Sequence, residues 1–466
     1  MSHHQKLFKN STEQKPKICH TTGSIPSWLT GNLYRLGPGK FNFKQQSVSH
    51  WFDGMGLLHH FNIEKGLIHY QSKFIESSAY KHAEKDQKLC FREFATDPCT
   101  TFFKRFFTRF NQNFTSNTMV SIAKLGNEMV SLTETPQPIV FDKSSLETIK
   151  PYLFSDEFHY NLHTAHPHKS SDDQSMINLG IRMGRKTYYE FFKIQNNTRQ
   201  LMSSLKVNKP SYQHSFGMTK NYLIIVDTPF KVSPLSIRFG TKPYIKNFKW
   251  HENTPTKFHI FNLKTGEKKC TIDTPGFFMF HQVNAYEQNH NIIFDTVAFK
   301  DAAVINALYL KNLHKNNPSI PSGKLTRFTL DITERKMISQ TILRNDSIEL
   351  PSINYDKCNG KPYTFTYALN ISNNKFFDQI IKINVKTLKT NIYKKENCIP
   401  SEPIFVQNPS KKEEDHGIIL SVLFNTKTNC TELHGIDAKT MNNMFVSTIK
   451  GIKGYTFHGQ FFKSES

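Results

Sequence analysis

The 466-residue chain contains 37% hydrophobic and 13% aromatic residues, a composition that is typical of a globular protein with a large core and excludes a disordered one. Its formal net charge of +22 comes from basic residues spread along the whole chain without a nucleic-acid-binding motif, so we expect no nucleic-acid partner. The seven cysteines form no CxxC pair, which argues against a disulfide framework or a zinc knuckle and favours a reducing compartment.

The N-terminal stretch over residues 1–17 is polar and has no apolar segment of the kind that a signal peptide needs. No apolar run in the chain approaches the roughly 18 residues of a membrane-spanning helix. The sequence therefore predicts a flexible polar tail over residues 1–17, one domain over residues 18–466, and a cytoplasmic protein that is neither secreted nor transmembrane.

Short apolar runs such as "YLIIVDTPF" and "NIIFDTVAF", bounded by Gly, Pro, Asn and Asp, predict a mostly antiparallel all-β fold. A phrase made of an apolar strand, one Asn, Asp or Gln, and a polar turn returns seven times. Its polar residues are Asn62, Asp142, Gln195, Asn262, Asp331, Asn384 and Asp437. The intervals between them, 53 to 80 residues, are near the length of a propeller blade with insertions, and predict a seven-bladed β-propeller. Ordinary hairpin turns would give the same phrase, and residues 88–118 break the rhythm as an insertion.

A His or Glu follows most of these polar residues after 18 to 24 positions. These residues are His166, His214, His281, Glu349, Glu402 and His458. Equivalent positions of successive blades face the propeller axis, so they would form one ring, which Glu134 beyond the insertion completes. Four neutral imidazoles suit Fe, Cu, Zn or Ni, and surrounding carboxylates would fix the imidazole tautomer that binds the metal. With 21 His in the chain, a loose spacing of this kind also arises without a metal site.

The stretch "HTAHPH" contains His163, His166 and His168. Side chains two residues apart share one face of a strand, so His166 and His168 lie together and His163 does not. The spacing alone does not choose between His166 and His168.

Eight stretches between about residues 18 and 464 resemble the carotenoid cleavage oxygenases, most closely the animal branch with the β-carotene oxygenases and the retinoid isomerohydrolase of the retinal pigment epithelium. They are "GNLYRLGPGKF", "HWFDGMGLLHHF", "TAHPH", "SYQHSFGMT", "FHQVNAYE", "INYDKCNGKPYTFTYAL", "SEPIFV" and "TFHGQFFKS". The resemblance implies a seven-bladed propeller with a helical and loop cap over an axial Fe²⁺.

The resemblance also implies roles for individual residues. The implied metal ligands are His166, His214, His281 and His458, and the implied carboxylates that hydrogen-bond to them are Glu134, Glu349 and Glu402. His163 and His168 would then be structural or solvent-facing. The segment "EFATDPC" and the region from Lys315 to Asp346 are shorter than in similar proteins. The resemblance therefore specifies least about the structure of the cap and of the mouth of the substrate tunnel.

The insertion contains the Phe-rich run "CTTFFKRFFTRFNQNF" from Cys99. On a helix, Phe102, Phe103, Phe106, Phe107 and Phe110 fall on one arc and the cations fall on the rest of the circle, which predicts a helix lying in a membrane interface. The alternative is an amphipathic helix packed on the propeller. In the similar retinoid enzyme the corresponding cysteine lies in the membrane-binding segment, so Cys99 is a candidate acylation site.

The resemblance implies an iron dioxygenase that splits one alkene of a carotenoid or apocarotenoid into aldehydes such as retinal, at the surface of a membrane such as the endoplasmic reticulum. Its partners would be dioxygen and a lipophilic substrate in an apolar tunnel, with Phe94, Thr133 and Phe457 as candidate substrate contacts. The first alternative is a retinyl-ester isomerohydrolase, in which iron acts as a Lewis acid and no oxygen is consumed. The second is a carotenoid-binding protein without chemistry, which the complete set of seven ring residues disfavours.

Overall fold

The structure is a computed structural model that describes residues 3–97, 115–170, 175–239, 242–372, 376–451 and 454–464. The described residues form seven sheets of four to six strands, and every named strand pair in them is antiparallel. The sheets succeed one another as the blades of a propeller, which confirms the predicted fold.

The first three blades take up the N-terminal half of the described chain, with one strand added from the C-terminal end. Blade 1 consists of β1 Gln14–Ile18, β3 Gly31–Lys40, β4 Met55–Glu64, β5 Leu67–Phe74 and β34 His458–Lys463. Blade 2 consists of β6 Ser121–Leu125, β7 Glu128–Leu132, β8 Ile139–Phe141 and β9 Thr148–Pro151. Blade 3 consists of β10 Leu162–His163, β11 His168–Lys169, β12 Met176–Met183, β13 Thr187–Gln195 and β14 Thr198–Val207.

The next two blades follow the simple four-stranded pattern. Blade 4 consists of β15 Gly217–Met218, β16 Tyr222–Asp227, β19 Thr256–Asn262 and β20 Lys268–Thr274. A separate small sheet pairs β17 Phe230–Lys231 with β18 Lys249–Trp250. Blade 5 consists of β21 Gln282–Gln288, β22 Asn291–Ala298, β23 Lys324–Asp331 and β24 Lys336–Arg344.

The last two blades complete the circle. Blade 6 consists of β25 Ile348–Ser352, β26 Phe365–Asn370, β27 Gln379–Asn384 and β28 Thr390–Tyr393. Blade 7 consists of β2 His20–Gly23, β29 Cys398–Pro400, β30 Ile404–Gln407, β31 Gly417–Asn425, β32 Cys430–Asp437 and β33 Asn443–Ile449. Because β34 pairs with β3 and β2 pairs with β33, chain segments from both ends interlock and close the circle of blades.

The repeated sequence phrase marks the same place in every blade, the turn after the third strand counted from the axis. In five of the seven turns, those at Asp142, Asn262, Asp331, Asn384 and Asp437, a side-chain oxygen accepts hydrogen bonds from the backbone N–H groups two and three residues later. Asn and Asp favour turns through this local contact. The repeated sequence phrase therefore reflects the same side-chain-to-backbone hydrogen bonding in these five turns.

The apolar strand faces pack blade against blade. One core cluster, for example, joins Leu33 and Phe61 of blade 1 to Val422 and Leu433 of blade 7. Others join blades 1 and 2, 2 and 3, 3 and 4, and 4 and 5. The core is thus a circle of sheet-to-sheet interfaces around the axis.

Helical and loop segments cover one end of the propeller, as the resemblance implies. The α-helices are α1 Ser78–Asp86, α2 Pro234–Phe239, α3 Ala303–Ala307, α4 Leu310–Leu313 and α5 Tyr355–Cys358, and 3₁₀ turns lie at His3–Phe8, Trp51–Asp53 and Tyr244–Asn247. Hydrogen bonds from Trp51 N to Leu308 O and from the His50 ring to Ile305 O tie the 3₁₀ turn after His50 to the α3 segment. The 3₁₀ turn after His50 and the α3 segment are part of the cap, because both line the cavity beneath it.

The prediction of a flexible tail over residues 1–17 is wrong for its described part. Leu7 and Phe8 are only 2% exposed, and the Phe8 ring contacts the rings of Phe41 and Trp51. Strand β1 then pairs with β5 of blade 1. Two apolar side chains and one edge pairing anchor a segment whose average polarity suggested a free tail, since burial depends on individual contacts.

Candidate metal centre and substrate cavity

The seven predicted ring residues come one from each blade. His166 lies between β10 and β11, His214 precedes β15, His281 precedes β21, and His458 begins β34. Glu349 lies in β25 and Glu402 between β29 and β30. These six positions belong to the strands next to the axis, which explains their regular spacing in sequence. Glu134 instead lies in the loop after β7, so its interval departs from the others.

The four histidines meet at the axis. One nitrogen of each lies within 4.8 Å of the corresponding nitrogens of the other three. The Nε2 atoms of His166 and His214 are 3.1 Å apart, those of His214 and His281 3.1 Å, and those of His281 and His458 3.2 Å. Two nitrogens that bind one divalent ion at about 2.1 Å and at right angles are about 3.0 Å apart, so this spacing suits a shared ion.

Three of the imidazoles are held by carboxylates on the side away from the axis. The Nδ1 atoms of His214, His281 and His458 lie 2.7, 2.6 and 2.7 Å from carboxylate oxygens of Glu134, Glu349 and Glu402, respectively. A carboxylate accepts a hydrogen bond, so each Nδ1 carries the proton and each Nε2 presents its lone pair to the axis. Among the described residues, no carboxylate hydrogen-bonds to His166.

Burial favours the neutral form of His166, His214 and His458, and the neutral imidazole is the form that binds metals. Burial lowers the pKa of His166 and of His458 well below the usual value, and the neighbouring imidazoles lower both further. Burial also lowers the pKa of His214, against the opposing effect of its hydrogen bond to Glu134. The Nε2 lone pairs that His214, His281 and His458 direct at the axis repel one another unless a cation lies among them. The residues present therefore fit a divalent metal.

Further side chains support the carboxylates, and the sequence did not single them out. Arg35, only 1% exposed, donates to Glu402 at 2.8 Å as well as to Thr456 and to the carbonyl oxygen of Phe457. Burial raises the pKa of Glu402 to about 7, and Arg35 opposes this rise. A charged residue inside the strand "GNLYRLGPGK" is the signal that could have predicted a buried ion pair.

The other two carboxylates have different supports. The Tyr212 hydroxyl donates to Glu134. The backbone N–H of Leu350 donates to Glu349, and Leu350 adopts a left-handed backbone conformation with φ of 51°. Such a conformation is uncommon outside glycine and is retained where surrounding contacts enforce it. Neither feature could be deduced from residue types or spacing.

A cavity extends from the ring under the cap. His214, His281 and His458 line its inner end, and the predicted substrate contacts Phe94, Thr133 and Phe457 all line its wall. The sequence did not predict most of the wall, which also includes Trp51, Phe52, Tyr212, Phe280, Phe299 and Phe377. A mostly apolar, aromatic wall with few polar side chains is typical of a site for a lipophilic small molecule.

The two remaining histidines of "HTAHPH" are buried, and they lie away from the ring. His163 Nδ1 lies 2.9 Å from the carbonyl oxygen of Thr164, and His168 contacts the hydroxyl of Tyr355 and the carbonyl oxygen of Phe216. Burial lowers the pKa of both to about 4, so they are neutral hydrogen-bonding residues. The structure thus brings His166 into the ring and leaves His163 and His168 in structural positions.

The predicted membrane segment, with Phe102, Phe103, Phe106, Phe107, Phe110 and the candidate acylation site Cys99, lies outside the described residues. Within the described ranges, none of the helices has the length and apolar character required to span a bilayer.

The family model named RPE65, retinal pigment epithelial membrane protein, matches residues 7–463. The chain belongs to the RPE65/carotenoid oxygenase family. The match covers all seven blades and confirms the family resemblance that the sequence motifs carry.

Several family members are similar over almost their full length. The β,β-carotene 15,15′-dioxygenase of Gallus gallus is 30% identical, over 98% of this chain and 97% of that protein. The human β,β-carotene 15,15′-dioxygenase is 29% identical, over 97% of this chain and 93% of that protein. Cobalt-substituted Synechocystis ACO superposes with a TM-score of 0.89 at 22% identity over 99% of this chain and 98% of that one, and an ACO/RPE65 chimera does so with 0.89 at 23% over the same shares. These two structures agree with the propeller fold.

Proposed function

We propose that this protein is a non-heme iron dioxygenase that cleaves one double bond of a carotenoid or apocarotenoid into two aldehydes, with retinal as the expected product from β-carotene. One observation carries the proposal: four imidazole Nε2 atoms converge at the inner end of a cavity whose wall is aromatic and apolar. Family members similar over nearly the whole chain are named β,β-carotene 15,15′-dioxygenases, which supports the same activity.

We propose that His166, His214, His281 and His458 hold Fe²⁺. Four neutral nitrogen ligands with no carboxylate among them leave the dipositive charge of the ion undiminished. When bound, the ferrous ion supplies the redox chemistry that dioxygen requires to react with an alkene. The carboxylates of Glu134, Glu349 and Glu402 accept the Nδ1–H protons and keep each Nε2 lone pair aimed at the axis.

The cavity wall performs the positioning. Phe457 precedes His458, and its ring centroid lies 5.4 and 5.2 Å from those of Phe52 and Trp51, so three aromatic rings pack together in the wall next to the ring. Thr133 precedes Glu134 and lines the same inner end. A polyene held between these side chains would present one double bond to the ring, and the apolar wall would exclude water from the reacting atoms.

The alternative activity, hydrolysis and isomerisation of a retinyl ester, is not favoured. The family name includes a retinal pigment epithelial protein, whereas the relatives that align over nearly the whole chain carry dioxygenase names. Four histidine ligands would serve Lewis-acid chemistry as well. The use of dioxygen therefore separates the two activities.

The test incubates the purified iron-loaded protein with β-carotene and, separately, with retinyl palmitate, each with and without ¹⁸O-labelled dioxygen. We expect retinal from β-carotene only when dioxygen and iron are both present, with label in the aldehyde oxygen. Metal-free protein and the His281→Ala variant serve as controls. Retinol released from the ester without dioxygen would establish the alternative, and tight pigment binding without products would indicate a carotenoid-binding protein.

We further propose that this cytoplasmic protein docks peripherally on a membrane, such as the endoplasmic reticulum, through the Phe-rich run over residues 99–114. Carotenoids partition into lipid, and six Phe interleaved with three cations would suit a membrane interface. Binding to vesicles of neutral and anionic lipid should fall strongly when Phe102, Phe106 and Phe110 are replaced by Ser. Unchanged vesicle binding would favour the packed-helix alternative.

A further inference from the structure

A second cavity reaches the histidine ring from the opposite side, along the propeller axis. His166 lines this axial channel but not the cavity under the cap, whereas His214 lines only the cap cavity. His281 and His458 line both. The ring thus separates two compartments that reach it from opposite sides.

The two compartments differ in chemistry. The axial channel is lined by many polar side chains, among them His168, Gln282, Ser352, Asn354, Gln407 and Gln460. Gln282 Oε1 and Ser352 Oγ are buried atoms without a hydrogen-bond partner in the part of the chain that the structure describes. Buried polar atoms of this kind are normally satisfied by water. The channel wall is therefore suited to hydrated cargo.

The outer end of the channel opens to solvent. Lys463 is exposed there, and the side chains of Lys169 and Asp356 are 38% and 71% exposed. Lys169 lies 3.6 Å from Asp356, so one of the two cations is partly neutralised. The axial channel therefore differs from the cap cavity in the polarity of its lining side chains and not in an excess of negative charge.

We propose that the axial channel is the route by which the divalent metal enters and leaves the ring, while the lipophilic substrate uses the cap cavity. This inference rests on the proposed function insofar as it takes the ring to hold a metal. A dipositive ion keeps its water shell only among polar groups, and an aromatic wall would strip that shell without replacing it. In the axial channel, side-chain oxygens and water replace the shell stepwise, and His166 is the imidazole that faces only the channel.

The test blocks each compartment separately with a thiol reagent. In Gln460→Cys, a cationic methanethiosulfonate would place a bulky group in the axial channel. In Val304→Cys, an aromatic methanethiosulfonate would do the same in the cap cavity, where Val304 lines the wall. Dithiothreitol removes either group, and wild-type protein treated with both reagents controls for the native cysteines.

Two measurements follow metal traffic without relying on turnover. The first is the rate at which chelator-treated protein takes up Co²⁺, read by visible absorption and by metal analysis after desalting. The second is the rate at which holoenzyme loses iron to excess chelator, which requires no apo-protein. We expect the modified Gln460→Cys variant to slow both rates at least tenfold, reversibly, with an unchanged final stoichiometry. The modified Val304→Cys variant should exchange metal at the wild-type rate and lose carotenoid turnover.

Slower exchange in the modified Val304→Cys variant alone would assign metal entry to the cap cavity and overturn the proposal. Equal exchange rates in all proteins would overturn it too, because the ring would then open by another movement. Failure of the unmodified protein to bind metal at all would instead contradict the proposed function.

Discussion

The histidine ring and the cavity wall meet at the same point but are built in opposite ways. The ring takes one side chain from each blade and fixes three imidazoles with contacts of 2.6 to 2.7 Å between specified atoms. The wall consists mainly of aromatic rings, such as those of Phe52 and Phe94, whose centroids are 5.4 Å apart. Ring contacts are directional and singly indispensable, whereas wall contacts are additive and interchangeable. Substitutions in the two regions should therefore differ in kind.

The largest effect is expected for one of the four proposed metal ligands. His281 lies between His214 and His458, so the His281→Ala variant should lose the bound metal and all detectable cleavage. Metal analysis and product chromatography measure both losses. The control is His69→Ala, which changes an exposed histidine on β5. Full metal content in His281→Ala would contradict the assignment of the ring.

The next largest effects are expected for two carboxylates of the ring, Glu349 and Glu402, and should differ between them. Glu349→Gln should weaken metal affinity about 10- to 100-fold, because it removes the anionic partner of His281. Glu402→Gln should do the same through His458 and also lower the free energy of unfolding by about 3–5 kcal/mol, because it leaves the buried Arg35 without a charged partner.

Metal titration and urea unfolding of the metal-free proteins measure the two effects separately. Equal unfolding free energies for Glu349→Gln and Glu402→Gln would refute the part assigned to Arg35.

A change in the wall should be milder. Phe94→Leu removes aromatic contacts with Phe52 and Tyr212, so we expect kcat/KM for β-carotene to fall about tenfold. Metal content should remain at the wild-type level. Loss of metal in Phe94→Leu would show that wall and ring are coupled, which would break the comparison.

The smallest effect concerns His50, a buried histidine whose ring contacts the wall residue Phe52. His50 accepts a hydrogen bond from Phe52 N at Nδ1, and burial lowers its pKa to about 4. An unfolded histidine has a pKa of about 6.5, so the contribution of His50 to stability is present above pH 6.5 and is lost as the pH falls towards 4. Between pH 7.5 and 5.5 the wild type should lose about 1 kcal/mol more than His50→Gln. Urea unfolding at both pH values measures this, and parallel curves would contradict it.

The sequence was sufficient to predict most residues of the ring, because the blades repeat. Equivalent turns, such as those at Asn262 and Asn384, place the following His or Glu at equivalent axial positions. The spacing did not specify Glu134, because it lies outside the strands next to the axis. It was inferred as the ring member beyond the insertion and from the family resemblance.

The wall and the supports of the ring could not be predicted in the same way. Arg35 contacts Glu402 across 367 positions of the chain, and no local pattern specifies such a pair. Phe377 and Trp51 line the cavity because cap loops fold over the axis, and loop paths depend on tertiary contacts. The burial of Phe8 could not be predicted because the N-terminal segment around it is polar on average.

The position of His458 on β34 sets the order of events during synthesis. All other strands of blade 1, and all of blades 2 to 7, are translated before this strand, which then returns to pair with β3. A nascent chain that has not yet exposed β34 can offer an incoming ion only three of the four imidazoles. Binding of a metal by all four imidazoles therefore follows the pairing of β34 with β3. A ring with bound metal would indicate that the circle of blades has closed.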